Sequence, residues 1–132
     1  MVWRSGSDAT YYGVDNDYFI DYKPEINLLL DQSDPGNDKA EPYDDIRITT
    51  STSSNQCNFV MISDSYRLNM EAYLSKDFSN CLFTHRRRVN EAPVQQAILE
   101  SDVIVIAAAE RLDNELADCI RQVINILKNN PK

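Results

Sequence analysis

Glycine is scarce in this chain, with three in 132 residues. Neither G-x-x-x-x-G-K nor G-x-G-x-x-G occurs, so no glycine-rich loop exists to cradle a phosphate. Histidine is scarcer still, at one residue, and the three cysteines (Cys57, Cys81, Cys119) include no C-x-x-C pair. A metal cluster would need closer ligands and more histidine, so neither a zinc site nor any other cofactor is expected. The cysteines read as buried thiols acting as small apolar residues, with a Cys57–Cys81 disulfide as the alternative. No apolar run approaches the roughly 20 residues that span a bilayer, and no basic-then-apolar leader opens the chain, so neither a membrane span nor secretion is expected from these residues. Basic residues are the minority: 13 Lys and Arg against 21 Asp and Glu leave a formal charge of −8. A general nucleic-acid binder needs a basic face to displace counterions, so nucleic acid is not an expected partner.

What is present fits one domain with a real core, at 42% apolar residues. The charge is unevenly placed. Residues 1–45 hold 11 acids, 3 bases and all three glycines, whereas residues 46–132 hold 10 of each sign. The chain therefore divides near Asp45 into an acidic, aromatic-rich segment (1–45) and an α/β domain (46–132). In the first segment Ile26–Leu30 is a candidate strand, and Pro35-Gly36 marks a turn in the acidic loop Asp31–Asp38. That loop lacks the D-x-D-x-D-G spacing of a calcium loop. Tyr11, Tyr12, Tyr18 and Tyr22, with Trp3 and Phe19, read either as a carbohydrate-stacking surface or as core and interface aromatics.

The second segment alternates strands and helices. Ile46-Arg47-Ile48-Thr49 has a strand's period of two. Asn58–Ile62 is a short apolar run, so a buried strand. Tyr66–Lys76 carries a helical stripe, Asn80–Thr84 is a further strand, and Asn90 opens a helix with Glu91 and Pro93 in its first turn. Val103-Ile104-Val105-Ile106-Ala107 is continuous and β-branched, as in a strand buried on both faces of a parallel sheet. Arg111 to Asn129 forms the last helix, stopped by Asn130-Pro131. The expected fold is a three-layer, flavodoxin-like α/β domain. Its parallel sheet places Asn58–Ile62 between 80–84 and 103–107, with helices on both faces.

In such a sheet, ligands sit beyond the carboxyl ends of the strands where successive crossovers diverge. Here that point is Ser63-Asp64-Ser65-Tyr66. A serine between a buried strand and a helix has its hydroxyl on a turn, beside backbone N–H groups able to stabilise an oxyanion. Ser and Asp are equally ordinary helix-capping residues, and that second reading stands beside the first. His85 ends the second strand of the three and is the sole histidine base on offer, but imidazolium formation is disfavoured beside Arg86-Arg87-Arg88. The arginine run reads as a site for an anionic sugar or carboxylate, or as a solvated loop offsetting the acidic segment.

Phe59-Val60-Met61-Ile62-Ser63-Asp64-Ser65-Tyr66 resembles the nucleophile block of SGNH/GDSL-type hydrolases, an apolar strand followed by G-D-S-[hydrophobic]. Leu74–Phe78 with Asn80–Thr84, then Ser101–Ile106 ending in Glu110-Arg111-Leu112, is similar to the alginate O-acetyltransferase-like branch of that superfamily. The resemblance covers about residues 45–128. It implies that Ser65 is the nucleophile, that Asp64 orders the turn, and that Ser63, Tyr66, Arg86, Glu110 and Arg111 contact substrate. It further implies acetyl transfer to or from a polysaccharide, or another small ester, outside the cytoplasm; without a leader in these residues, the chain as given would be cytoplasmic. Two departures matter: Ser63 replaces the usual Gly, and the Asp-x-His base that the branch carries on the amino side of its serine has no counterpart in residues 1–57. The chain is thus expected to be weak or inactive alone, as a fragment or incomplete copy whose base comes from an upstream segment or partner. The reading from another class is a non-catalytic flavodoxin-like interaction domain.

Overall fold

The computed structural model describes residues 25–31, 46–109 and 112–130. The early aromatics, the turn at Pro35-Gly36, and Glu110 and Arg111 lie outside them, as does the side chain of Tyr66. Five strands form one sheet: β1 (Ile26–Asp31), β2 (Ile46–Ser51), β3 (Asn58–Ser63), β4 (Asn80–His85) and β5 (Val103–Ala107). Three helices join it: α1 (Leu68–Asp77), α2 (Ala92–Glu100) and α3 (Asp113–Asn129). No helix among the described residues is long and apolar enough to cross a membrane.

The strand order is β1-β2-β4-β3-β5. β3 pairs in parallel with β4 on one side and β5 on the other, as the apolar runs predict, with Ser63 opposite both His85 and Ala107. The sheet is mixed, because β2 runs antiparallel to β4 and β1 antiparallel to β2. Each apolar run is short, flanked by polar residues, and dense in residues that suit a pleated surface. The register of β5 is fixed at its start. Asn58 donates its backbone N–H to Asp102 Oδ2 (2.9 Å) and accepts from the Asp102 N–H (2.9 Å).

Alternation along the strands divides the core into two layers. Val60, Ile62 and Leu82 pack with Val94 and Ile98 of α2 and Cys119 and Val123 of α3. Phe59, Met61, Cys81 and Phe83 point to the other face, against Met70 and Leu74 of α1 and Phe78. Helices therefore cover both faces. The helical start at Tyr66 is refined: Ser65–Arg67 is a 3₁₀ turn leading directly into α1. At the far end of α1 the polar stretch 51–56 takes up orphan carbonyls, with Ser53 Oγ donating to the Asp77 carbonyl (2.8 Å) and Ser51 Oγ to that of Phe78 (2.9 Å).

One expectation is corrected. β5 is not buried on both faces: it is the sheet edge among the described residues, and Val103 is 37% exposed. The cysteines are free thiols, as the first reading has them rather than the disulfide alternative, with Cys81 and Cys119 buried and Cys57 half-buried. Burial, the dominant cause, pushes the Cys81 thiol up from 9.0 to about 11; a hydrogen bond with Thr49 lowers it in part, and the Asp77 carboxylate raises it. The folded thiol thus keeps its proton where the unfolded one loses it. The stability that the Cys81 thiol contributes below pH 9 should fall by about 2–3 kcal/mol as pH climbs from 9 through 11. Cys81→Ala should remove that share, leaving the same-signed share of Cys119, which burial also raises. Urea titrations at pH 8 and 10.5 measure this, and with Ellman's reagent at pH 8 only Cys57 should react before unfolding.

Candidate functional site

The carboxyl ends of β3, β4 and β5 bring Ser63, His85 and Ala107 side by side, and the site grows from that row. Ser63 is buried and donates its hydroxyl to the Asp64 carbonyl (2.9 Å). That carbonyl also receives the Arg67 N–H (3.4 Å), the first bond of the helical turn. Asp64 is buried as well. Its Oδ2 accepts the backbone N–H of Ala109 (2.8 Å), which ties the exit of β5 to the exit of β3. Asp64 thereby bridges two strand ends, and Arg67, the residue at which α1 begins, makes no side-chain cap bond.

Ser65 is exposed, at the first position of the 3₁₀ turn, and its hydroxyl has no hydrogen-bond partner among the described residues. The chain therefore presents an unencumbered hydroxyl where the middle strand of the parallel three hands over to a helix. The amino end of that helix carries partial positive charge and orphan N–H groups, the features that favour a developing oxyanion. Below it lies a cavity of about 270 Å³ lined by Met61, Ser63, Asp64, Arg67, Met70 and Ala107 to Ala109.

Arg67 is a site residue that the sequence reading missed. It is 0% exposed, and its Nε lies 3.1 Å from Glu71 Oε1, one helical turn on. Glu71 Oε2 is in turn 3.5 Å from Arg47 Nε on β2. The Arg67–Glu71 spacing was a visible signal. So was the odd position of Arg47 between Ile46 and Ile48, which puts it on the α1 side of the sheet.

His85 is buried at the end of β4, and its Nδ1 accepts the Arg87 backbone N–H (3.3 Å). An Nδ1 that accepts carries no proton, so the neutral ring bears its proton on Nε2 and offers a donor there. A general base needs the opposite, a free acceptor nitrogen aimed at the hydroxyl. The arginines are largely committed to the fold. Arg88 Nη1 bonds Glu91 Oε1 (3.0 Å), and Arg86 Nη2 lies 3.6 Å from Glu115 Oε1 of α3. Arg86 and Arg87 still line a second cavity, of about 250 Å³, with Asn90, Glu115 and Gln122.

The structure thus brings Ser63, Asp64, Ser65 and Arg67 together at one strand end, with His85 beside them on β4, and places Arg86 against α3. A further cavity, of about 360 Å³, lies at the amino ends of β3 and β4, between α2 and the β1–β2 pair, away from this chemistry. Among the described residues, no three His, Cys, Asp or Glu side chains gather as metal ligands would. No family model matches the chain, and no curated protein or solved structure matches it.

Proposed function

We propose that the chain is an SGNH-type, flavodoxin-like acyl-transfer domain in which Ser65 is the nucleophile. One observation carries the reading: the Ser65 hydroxyl is exposed at the carboxyl end of the central parallel strand and the start of a helix. Ser65 Oγ attacks the carbonyl of an acetyl ester while a base takes its proton. The tetrahedral oxyanion collapses, the alcohol leaves with a proton, and acetyl-Ser65 passes its acyl group to water or to another hydroxyl. Asp64 holds the turn. Ser63, Tyr66, Arg86, Glu110 and Arg111 contact the substrate, an acetylated polysaccharide or small ester outside the cytoplasm. The base comes from an upstream Asp-x-His segment or a partner. The orientation of His85, with Nδ1 accepting a backbone N–H, favours the second reading: a non-catalytic interaction domain.

The two part company once a base is supplied. Labelling by a fluorophosphonate is followed by intact mass and peptide mapping, with and without imidazole. The expected result is a single adduct on Ser65, absent from Ser65→Ala, forming about 10-fold faster with imidazole. That gain is modest beside the 10²–10⁴ of a positioned base. Label spread over exposed serines, or none on Ser65 with imidazole present, overturns the acyl-transfer reading in favour of the interaction domain.

A further inference from the structure

The sheet ends differently on its two sides. β1 carries a register shift between Leu28 and Leu30, an irregularity that spoils an edge for further pairing. β5 pairs with β3 in unbroken register from Val103 to Ala107, and with no other strand among the described residues. It contains no charge, proline or glycine. Among the described residues, a strand with the composition of a sheet centre therefore stands at an edge without the usual protection. A second apolar surface runs beside it. In α3, Cys119 and Val123 point into the core, while Glu115 and Gln122 face the cavity under Arg86 and Asn90, on the α2 side. At about 100° per residue, Ile120, Ile124 and Leu127 fall on the opposite flank, over the free side of β5. They are 39%, 42% and 40% exposed.

We propose that the β5 edge and this flank of α3 form an interface between two copies of the chain. β5 pairs antiparallel with its counterpart about a two-fold axis perpendicular to the sheet and midway between the two copies of Val105. Ile104 then lies opposite the partner's Ile106, a β-branched cross-strand pair. The same rotation sets the two α3 helices side by side on one face, stripe against stripe. One symmetry operation satisfies both surfaces, as an isologous contact requires, whereas a strand from another molecule would cover the edge and leave the helix bare. Charge does not oppose the contact. Neither β5 nor the Ile120–Ile124–Leu127 stripe carries a charged residue, and Asp113 on the same flank stands at the far end of the helix from Leu127. The stripe from Ile120 to Leu127 is about 11 Å long. With the five-residue strand edge, this falls short of the roughly 800 Å² per partner of a standard interface, so the dimer is a weak one.

The inference is independent of the role of Ser65. Sedimentation equilibrium from about 1 to 300 μM tests it, with hydrogen exchange at both extremes. The wild-type mass should rise from 15.1 kDa towards twice that value. The β5 amides should exchange more slowly at high concentration, a readout that needs no variant. Ile124→Lys and Val103→Lys should each weaken the dimer at least 10-fold with unchanged circular dichroism. A monomer throughout the range, or a dimer that neither substitution weakens and that leaves β5 exchange unchanged, overturns the proposal.

Discussion

Glu71→Leu is expected to lower folding stability by about 3–5 kcal/mol, read as a fall in the urea midpoint at constant slope. Glu71 lies between Arg67 and Arg47, and the two guanidiniums differ in what they can do without it. The Arg47 side chain is 35% exposed and can turn to water, whereas that of Arg67 is 0% exposed. Taking the carboxylate away removes an ion-pair partner from a fully buried charge, and the desolvation of that charge is what makes the loss large. Arg67→Met removes the other half of the pair. The double variant should therefore recover part of the cost, with a coupling of at least about 1 kcal/mol in the mutant cycle. A cost for Glu71→Leu below about 1 kcal/mol, the range of exposed ion pairs, would show that the pair contributes little.

The same pair bears on the candidate site, because Arg67 ends the turn that Ser65 begins and lines the cavity beneath it. Holding the guanidinium on Glu71 fixes the first turn of the helix while Asp64 fixes the residue before it. The exposed hydroxyl is thus carried on a turn anchored at both ends. Such rigidity suits acyl transfer, where donors must already point at the place the oxyanion will occupy.

The sequence made the parallel part of the sheet legible for a simple reason. Asn58–Ile62, Asn80–Thr84 and Val103–Ala107 are short apolar runs separated by helical stripes, and parallel crossovers then leave few ways to order them. The edge position of β5 was not legible, because Val103–Ala107 reads by composition as an interior strand. Nothing local reports that it lacks a neighbour. The burial of Arg67 was hidden in a similar way. An Arg and a Glu four apart on a helix look like a solvent-facing pair until β2 brings Arg47 against that helix. At Asp64 the local pattern offered capping, while the carboxylate in fact bonds Ala109, 45 residues away. His85 is followed by three arginines, yet its place on the last pleat of β4 buries it. In each case a contact between distant segments settled what the local pattern left open.

Phe83→Ala and Ile62→Ala should each be severe, for opposite reasons of place. Phe83 is 0% exposed at the middle of β4, in the α1 layer, with its ring centroid 6.2 Å from that of Phe59. Truncation loses the transfer free energy of a whole ring and leaves a cavity that the paired backbones of β2 and β3 prevent from collapsing. The expected cost is about 3–5 kcal/mol. Ile62, also 0% exposed, belongs to the α2–α3 layer, and Ile62→Ala should cost about 2–5 kcal/mol. Leu29→Ala is the control. At 63% exposed, it should change stability by no more than about 0.5 kcal/mol. Because the two layers share no side chains, the Phe83 and Ile62 costs should add within about 0.5 kcal/mol when measured in a background stable enough to bear both. A Phe83→Ala cost near that of Leu29→Ala would mean that α1 does not seal its face of the sheet. The helix that presents Ser65 would then lack the support its role requires.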